Sequence, residues 1–251
     1  MNILLTNDDG INAIGIRDLA KELSKIGKVT VVAPDRERSA SGHSITLHAP
    51  LRVVRTDIHE GIEGYMISGT PSDCVKIALE SILTEKPDLV VSGINNGPNL
   101  GTDVLYSGTV SAAIEGAIHN IKSIAISVSY GEDKINYEGA KHFSCNLIEI
   151  ISTLEDGLIF NINVPSLNKE DIKGTIITEL GIRRYNNKYI KREDPMGKSY
   201  YWLAGELIDI ENKNTSDIKA IEDKYISITP LHFDLTDYKS LETLKNSKIE
   251  I

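Results

Sequence analysis

The feature that most constrains this chain is an alternation in its first 165 residues: short β-branched runs separated by segments whose apolar residues recur at helical spacing. Residues 3–6 and 29–33 read as strands, and between them Ile16, Leu19, Ala20 and Leu23 share one helix face, with Gly27 as its stop signal. Thr70 before Pro71 is the N-cap of a second helix with the stripe Val75, Ala78, Leu79 and Ile82; residues 88–91 then read as a buried strand. Val110, Ala113, Ile114 and Ala117 mark a third helix, followed by a strand at 124–128, a helix at 138–152 and a strand at 158–164. Such an alternation predicts an α/β fold, a mainly parallel sheet with helices on both faces.

After Pro165 the pattern changes. Residues 175–178, 200–207 and 225–229 read as strands of projecting hairpins, and Leu235, Tyr238, Leu241 and Leu244 give helical spacing near the end. One domain over 1–251 is expected, with a core at 1–165 and a β-hairpin extension with a C-terminal helix at 166–251. A two-stranded projection is marginally stable alone, so this extension is expected to pack on, or exchange with, a second subunit in a homo-oligomer.

Charge narrows the function. Lys and Arg number 27 against 36 Asp and Glu, and the net charge of −9 disfavours a nucleic-acid polymer as partner. No basic block suits an anionic membrane, no apolar stretch reaches membrane-spanning length, and the start lacks the cationic region of a signal peptide, so a cytoplasmic protein is expected. The Asn214-Thr215-Ser216 sequon would then go unused. Cys74 and Cys145 form no CxxC and read as buried free thiols.

In an open parallel sheet, ligands bind beyond the carboxyl ends of the strands. Four loops there are rich in oxygen ligands or backbone donors, at 7–10, 35–43, 93–97 and 106–109. Asp8 and Asp9 place like charges side by side, which costs energy unless a cation neutralises them. Mg²⁺ or Mn²⁺ suits such carboxylates, with Asn95 and a serine of the second loop, Ser39 or Ser41, completing the shell. The alternative is that both aspartates simply cap the next helix and sit solvated. Ser107, Gly108 and Thr109 at a helix start suit a phosphate cradle or an ordinary N-cap. Asn12 joins this phosphate-binding group, and Arg36, Gly42 and His43 are candidates for a substrate loop, His43 also as an acid, unless the loop is merely solvated. No GxGxxG or GxxxxGK[ST] fingerprint occupies the first β-α turn, and no GxSxG elbow occurs.

Taken together, Thr6-Asn7-Asp8-Asp9-Gly10, the Ala33-Pro34-Asp35 and Arg38-Ser39-Ala40-Ser41-Gly42 segments, Gly69-Thr70-Pro71-Ser72-Asp73, Ser92-Gly93-Ile94-Asn95-Asn96-Gly97-Pro98-Asn99 and Ser107-Gly108-Thr109-Val110-Ser111-Ala112 carry a resemblance. In this order they resemble the SurE survival proteins, a family of metal-dependent 5′/3′-nucleotidases. The resemblance spans nearly the whole chain. It implies a Rossmann-like domain bearing a β-hairpin extension, assembled as a homodimer or homotetramer. It also implies that Asp8, Asp9, Ser39 and Asn95 ligate one divalent cation, which chooses Ser39 over Ser41. The activity implied is hydrolysis of nucleoside 5′- and 3′-monophosphates, with some members acting on short-chain polyphosphate.

A mechanism is expected in which Asp8 and Asp9 are catalytic: both anchor the ion, and Asp9 orients or deprotonates the attacking water. Direct attack by water is favoured because the DxD arrangement of aspartyl-phosphate phosphatases is missing, Asp9 being followed by Gly10 and Ile11. A response-regulator receiver also pairs acidic residues at a first strand end. It further needs an aspartate and a lysine at later strand ends, where this chain has Ser92-Gly93-Ile94-Asn95 and Ser127-Val128-Ser129. A nucleotide-binding protein without turnover is the remaining competitor.

Overall fold

The computed structural model describes residues 1–131 and 135–247. In chain order its regular elements are β1 (Asn2–Thr6), α1 (Ile14–Leu23), β2 (Lys28–Pro34), β3 (Val53–His59), β4 (Ile62–Ile67), α2 (Pro71–Ile77), β5 (Leu89–Asn96), α3 (Gly108–Ile118), β6 (Lys122–Val128), α4 (Glu138–Ser152) and β7 (Ile159–Val164). The remainder supplies β8 (Thr175–Ile177), β9 (Arg184–Glu193), β10 (Ser199–Ile208), α5 (Asp217–Glu222), β11 (Ile226–Leu231) and α6 (Tyr238–Asn246).

Nine strands form one sheet in the order β3-β4-β2-β1-β5-β6-β7-β11-β8. From β4 to β7 every neighbour is parallel, because each crossover carries the chain back over a face of the sheet. Alternating side chains of β1 feed two cores. Ile3 and Leu5 pack with Ile16, Leu19 and Leu23 of α1 and with Ile148 and Ile151 of α4. Leu4, on the opposite face, packs with Cys74 and Val75 of α2 and Ala112 of α3. Strands buried on both faces need no polar alternation, which is why β1, β2, β5 and β6 read as continuous apolar runs.

Helix starts follow the side-chain chemistry. Thr70 Oγ1 accepts from the Asp73 N–H at 3.1 Å, Asp73 Oδ2 accepts from the Thr70 N–H at 2.9 Å, and Pro71 occupies the first turn. The helix closes at Ile77 and widens into a π turn over Ala78–Ile82, leaving Leu79 and Ile82 only half-buried. Gly27 does not cap α1. That helix ends at Ser24 in right-handed geometry, and Gly27 is needed because a Cβ there would lie 2.6 Å from the Met1 carbonyl oxygen.

Two features of the second half differ from expectation. Strands β8 and β11 do not project as hairpins: β11 pairs antiparallel with β7 and parallel with β8, so both extend the main sheet past residue 165. Among the described residues only β9 and β10 form a free hairpin, a ten-residue antiparallel ladder with nearly every side chain exposed. The terminal helix begins at Tyr238, capped by Asp237, so Leu235 precedes it. Residues 248–251 of the extension lie outside the described residues. Cys74 is buried and Cys145 half-buried, both as free thiols. Among the described residues, no helix is long and apolar enough to cross a membrane.

Candidate functional site

Three loops and a helix start meet where β1 leaves the sheet. Asp8 is nearly fully buried. It accepts the Thr109 hydroxyl at 2.6 Å on Oδ1 and the Thr109 N–H at 3.3 Å on Oδ2, while its own carbonyl accepts the Arg38 N–H at 2.7 Å. Asp9 is half-buried, and its Oδ2 accepts the Asn96 N–H at 3.0 Å. The ends of β1 and β5, the loop after β2 and the first turn of α3 therefore converge on two adjacent carboxylates. The β5–β6 ladder loses register between Ser92 and Asn95, the kind of irregularity that re-aims side chains at a strand end.

Burial pushes the Asp8 carboxyl up to about 6; the Thr109 hydroxyl opposes this and the neighbouring Asp9 charge adds to it. Burial also pushes Asp9 up, opposed by the Asn96 N–H and reinforced by Glu37. The causes named for both shifts, among the described residues, are burial, neighbouring carboxylates and hydrogen bonds. The N-terminal end of α3 supplies the local positive potential, through amide groups that the helix itself leaves unpaired.

Gly108 packs tightly against this pair. A Cβ at Gly108 would lie 2.9 Å from both Asp8 Cβ and Ser41 Oγ, and 3.0 Å from Asp8 Oδ2. Ser41 Oγ is buried and has no hydrogen-bond partner, as is Asn7 Oδ1 at the end of β1. Ser39 lies on the exposed side of the same loop and donates its hydroxyl to Glu37 Oε1 at 2.6 Å. Asn95 donates its amide to the Gly97 carbonyl at 2.8 Å. Ser107 accepts the Val110 N–H at 3.0 Å and caps α3, so its hydroxyl is engaged in capping and that of Thr109 in holding Asp8. The Thr109 N–H goes to Asp8 Oδ2, the Val110 N–H to Ser107 Oγ and the Ser111 N–H to the Ser107 carbonyl at 3.1 Å, which leaves, among the described residues, the Gly108 N–H at the helix start.

The other candidates are more dispersed. Asn12 is exposed, and Arg36 is exposed with only a loose 3.9 Å approach to Asp35. Arg38 is turned into the loop's own scaffolding, donating to the Ser68 carbonyl at 2.8 Å and to Asp35 at 3.2 Å. Gly42 donates its N–H to the Tyr106 carbonyl at 3.0 Å, and His43 Nε2 lies 2.7 Å from Glu115 Oε2 on α3. Two contributors escape sequence reading. Asn96 acts through its backbone, and Tyr137, whose hydroxyl is pushed up by burial and then by the Asp9 charge, precedes α4 without any motif around it.

The donor set is entirely oxygen: two carboxylates, amides and hydroxyls, with the buried Ser41 Oγ and Asn7 Oδ1 still lacking partners. That chemistry fits a hard divalent cation and not a soft one. Among the described residues no cluster of three or more His, Cys, Asp or Glu is placed to hold a metal, so the two aspartates depend on neutral oxygens to complete any shell.

Fold and site define an α/β protein with an acidic cluster of oxygen donors at the carboxyl edge of a parallel sheet. The family model described as "Survival protein SurE" matches residues 3–187. The 5′-nucleotidase SurE of Alkaliphilus metalliredigens is 52% identical over 255 residues, covering 100% of both chains. Its counterpart from Carboxydothermus hydrogenoformans is 53% identical over 251 residues, 98% of this chain and 95% of that one. The crystal structure of the SurE protein from Aquifex aeolicus matches with a TM-score of 0.83 at 41% identity, over 98% of each chain. This chain belongs to the SurE family.

Proposed function

We propose that this chain is a metal-dependent nucleotidase that hydrolyses nucleoside 5′- and 3′-monophosphates to nucleoside and phosphate, with short-chain polyphosphate as a further substrate. The observation that carries the reading is the pair of adjacent carboxylates, Asp8 and Asp9, raised in pKa by burial and set against the N-terminal turn of α3. Carboxylates and helix N–H groups recognise opposite charges, and a phosphate held beside a divalent cation satisfies both.

Asp8, Asp9 and Asn95 would hold one Mg²⁺ or Mn²⁺ together with a loop serine, Ser39 or Ser41. When bound, the cation supplies charge neutralisation at the phosphoryl oxygens and eases ionisation of water. The Gly108 N–H and the positive end of the α3 dipole would hold the phosphate oxygens, since the Thr109 and Val110 N–H groups are already bonded to Asp8 and Ser107. Asn96 occupies Oδ2 of Asp9, which leaves Oδ1 to orient and deprotonate the attacking water. Thr109 keeps Asp8 in place throughout. Water attacks phosphorus directly; a phosphorylated aspartate trapped during turnover would overturn that step.

The protein acts in the cytoplasm as a homodimer or homotetramer assembled through the β9–β10 hairpin. Support comes from the apolar side chains displayed there, among them Tyr189, Trp202 and Leu203.

The test is phosphate release from a panel of nucleoside 5′- and 3′-monophosphates, with chelator and with Mn²⁺ or Mg²⁺ restored, beside an Asp9→Asn variant. Metal-restored turnover that Asp9→Asn abolishes supports the reading. Nucleotide binding without turnover under either metal replaces it with a binding protein.

A further inference from the structure

Glu115 is the only acidic residue of α3, two turns beyond Gly108, and it is just 5% exposed. A buried carboxylate needs partners. Its Oε2 lies 2.7 Å from His43 Nε2, and its Oε1 lies 3.4 Å from both Lys76 Nζ and His119 Nε2. A carboxylate only accepts, so His43 Nε2 carries the hydrogen in this contact. Lys76 belongs to α2, and His119 caps the C-terminal end of α3. His43 alone comes from a loop that borders the carboxylate pair.

That loop is suspended between fastenings. At one end the Arg38 N–H meets the Asp8 carbonyl; at the other the Gly42 N–H meets the Tyr106 carbonyl and His43 meets Glu115. Between them lie both candidate serines. Ala40 and Gly42 have φ of 54° and 55°, and the left-handed region is unfavourable for alanine because its Cβ crowds the backbone carbonyl. Local preference therefore does not hold this segment in shape, and its anchors must.

We propose that Glu115 is a positioning residue: by gripping His43 it fixes the end of the 39–43 segment and so sets where the Ser39 and Ser41 hydroxyls stand relative to Asp8. The kinetic part of its test rests on the nucleotidase reading above; the proteolytic part does not. His43→Ala, Glu115→Gln and the double variant are compared with the unaltered protein. Trypsin cleavage after Arg36 and Arg38 reports release of the loop. The Mn²⁺ concentration giving half-maximal turnover reports serine placement.

Both single variants are expected to speed cleavage at these sites and to raise the half-maximal Mn²⁺ about tenfold, and in Glu115→Gln kcat at saturating Mn²⁺ should change less than about threefold. In loop cleavage and Mn²⁺ dependence the double variant should not exceed the larger single effect, since of the three partners of Glu115 His43 alone belongs to the loop. Glu115→Gln retains the shape and one acceptor, and His43→Ala alters only the loop side, so melting curves close to that of the unaltered protein are expected for both. Unchanged cleavage and unchanged Mn²⁺ dependence in His43→Ala would overturn the proposal, as would additive effects in the double variant. If the unaltered protein hydrolyses no nucleotide, the function reading fails while the cleavage rates still decide this one.

Discussion

Thr109 donates its hydroxyl hydrogen to Oδ1 of Asp8 at 2.6 Å, joining the first turn of α3 to the end of β1 across 101 positions of sequence. The bond holds the carboxylate beside the first turn of α3 and opposes the rise in its pKa caused by burial. Thr109→Val keeps the shape and removes the donor. A hydrogen bond to a charged group contributes about 1.5–3 kcal/mol, so kcat/KM should fall roughly 10- to 100-fold in Thr109→Val. Thr109→Ser should stay within about threefold. Steady-state kinetics on a nucleoside monophosphate separates the two.

The raised pKa of Asp8 makes stability depend on pH in a definite direction. Its folded value of about 6 lies above the ordinary 3.8, so between these values the folded protein binds more protons than the unfolded chain. The contribution is therefore fully present below about pH 4 and is lost as pH rises through about 6, to a limit near 3 kcal/mol. Cation binding needs the ionised carboxylate. Added Mn²⁺ should accordingly raise the Tm of chelator-treated protein more at pH 7 than at pH 5. Equal shifts in scanning calorimetry at the two pH values would contradict this.

Asp217 ties the root of the hairpin to the segment that leads into α3. It is fully buried and accepts N–H groups of Gly101 at 2.7 Å, Gly181 at 2.8 Å and Ile218 at 2.8 Å. Asp217→Ala leaves all three donors without their acceptor, at an expected cost of about 3 kcal/mol. Urea titration measures the loss; a change under about 0.5 kcal/mol would show that water replaces the carboxylate freely.

The hairpin should be the assembly element. Trp202, the only tryptophan, is 66% exposed on β10. Its fluorescence should shift to the blue as protein concentration rises and subunits cover it. Light scattering behind size exclusion should find a multimer for the full chain and a monomer after deletion through residues 188–207. A monomeric mass for both would refute exchange through the hairpin.

Much of the core was legible because it rests on local patterns. The stripe of α1, the Thr70–Pro71 helix start and the buried runs of β1, β2, β5 and β6 each follow from side-chain periodicity or capping chemistry within a few residues. Strands β3 and β4 gave no such signal, since β3 is largely exposed and bears no clean alternation. Gly27 misled for a related reason: a glycine after a helix suggests a left-handed cap, and only the folded chain shows the Met1 carbonyl that crowds it. Strands β8 and β11 carried the right residues for strands, but their place in the main sheet depends on pairing with β7.

The same division runs through the site. Sequence by itself determined the α/β class and marked the oxygen-rich strand-end loops that carry Asp8, Asp9, Asn95 and the Ser107–Thr109 turn, because residue type and spacing are local properties. Tertiary structure alone decided that Thr109 holds Asp8, that the Asn96 N–H holds Asp9, that Ser41 is buried beside Gly108 while Ser39 lies outside, and that Glu115 grips His43. Each of those contacts joins segments brought together only when the parallel strands stack and their loops crowd one edge. Burial then sets the charges, since a carboxylate's pKa follows the water it loses and the donors it meets.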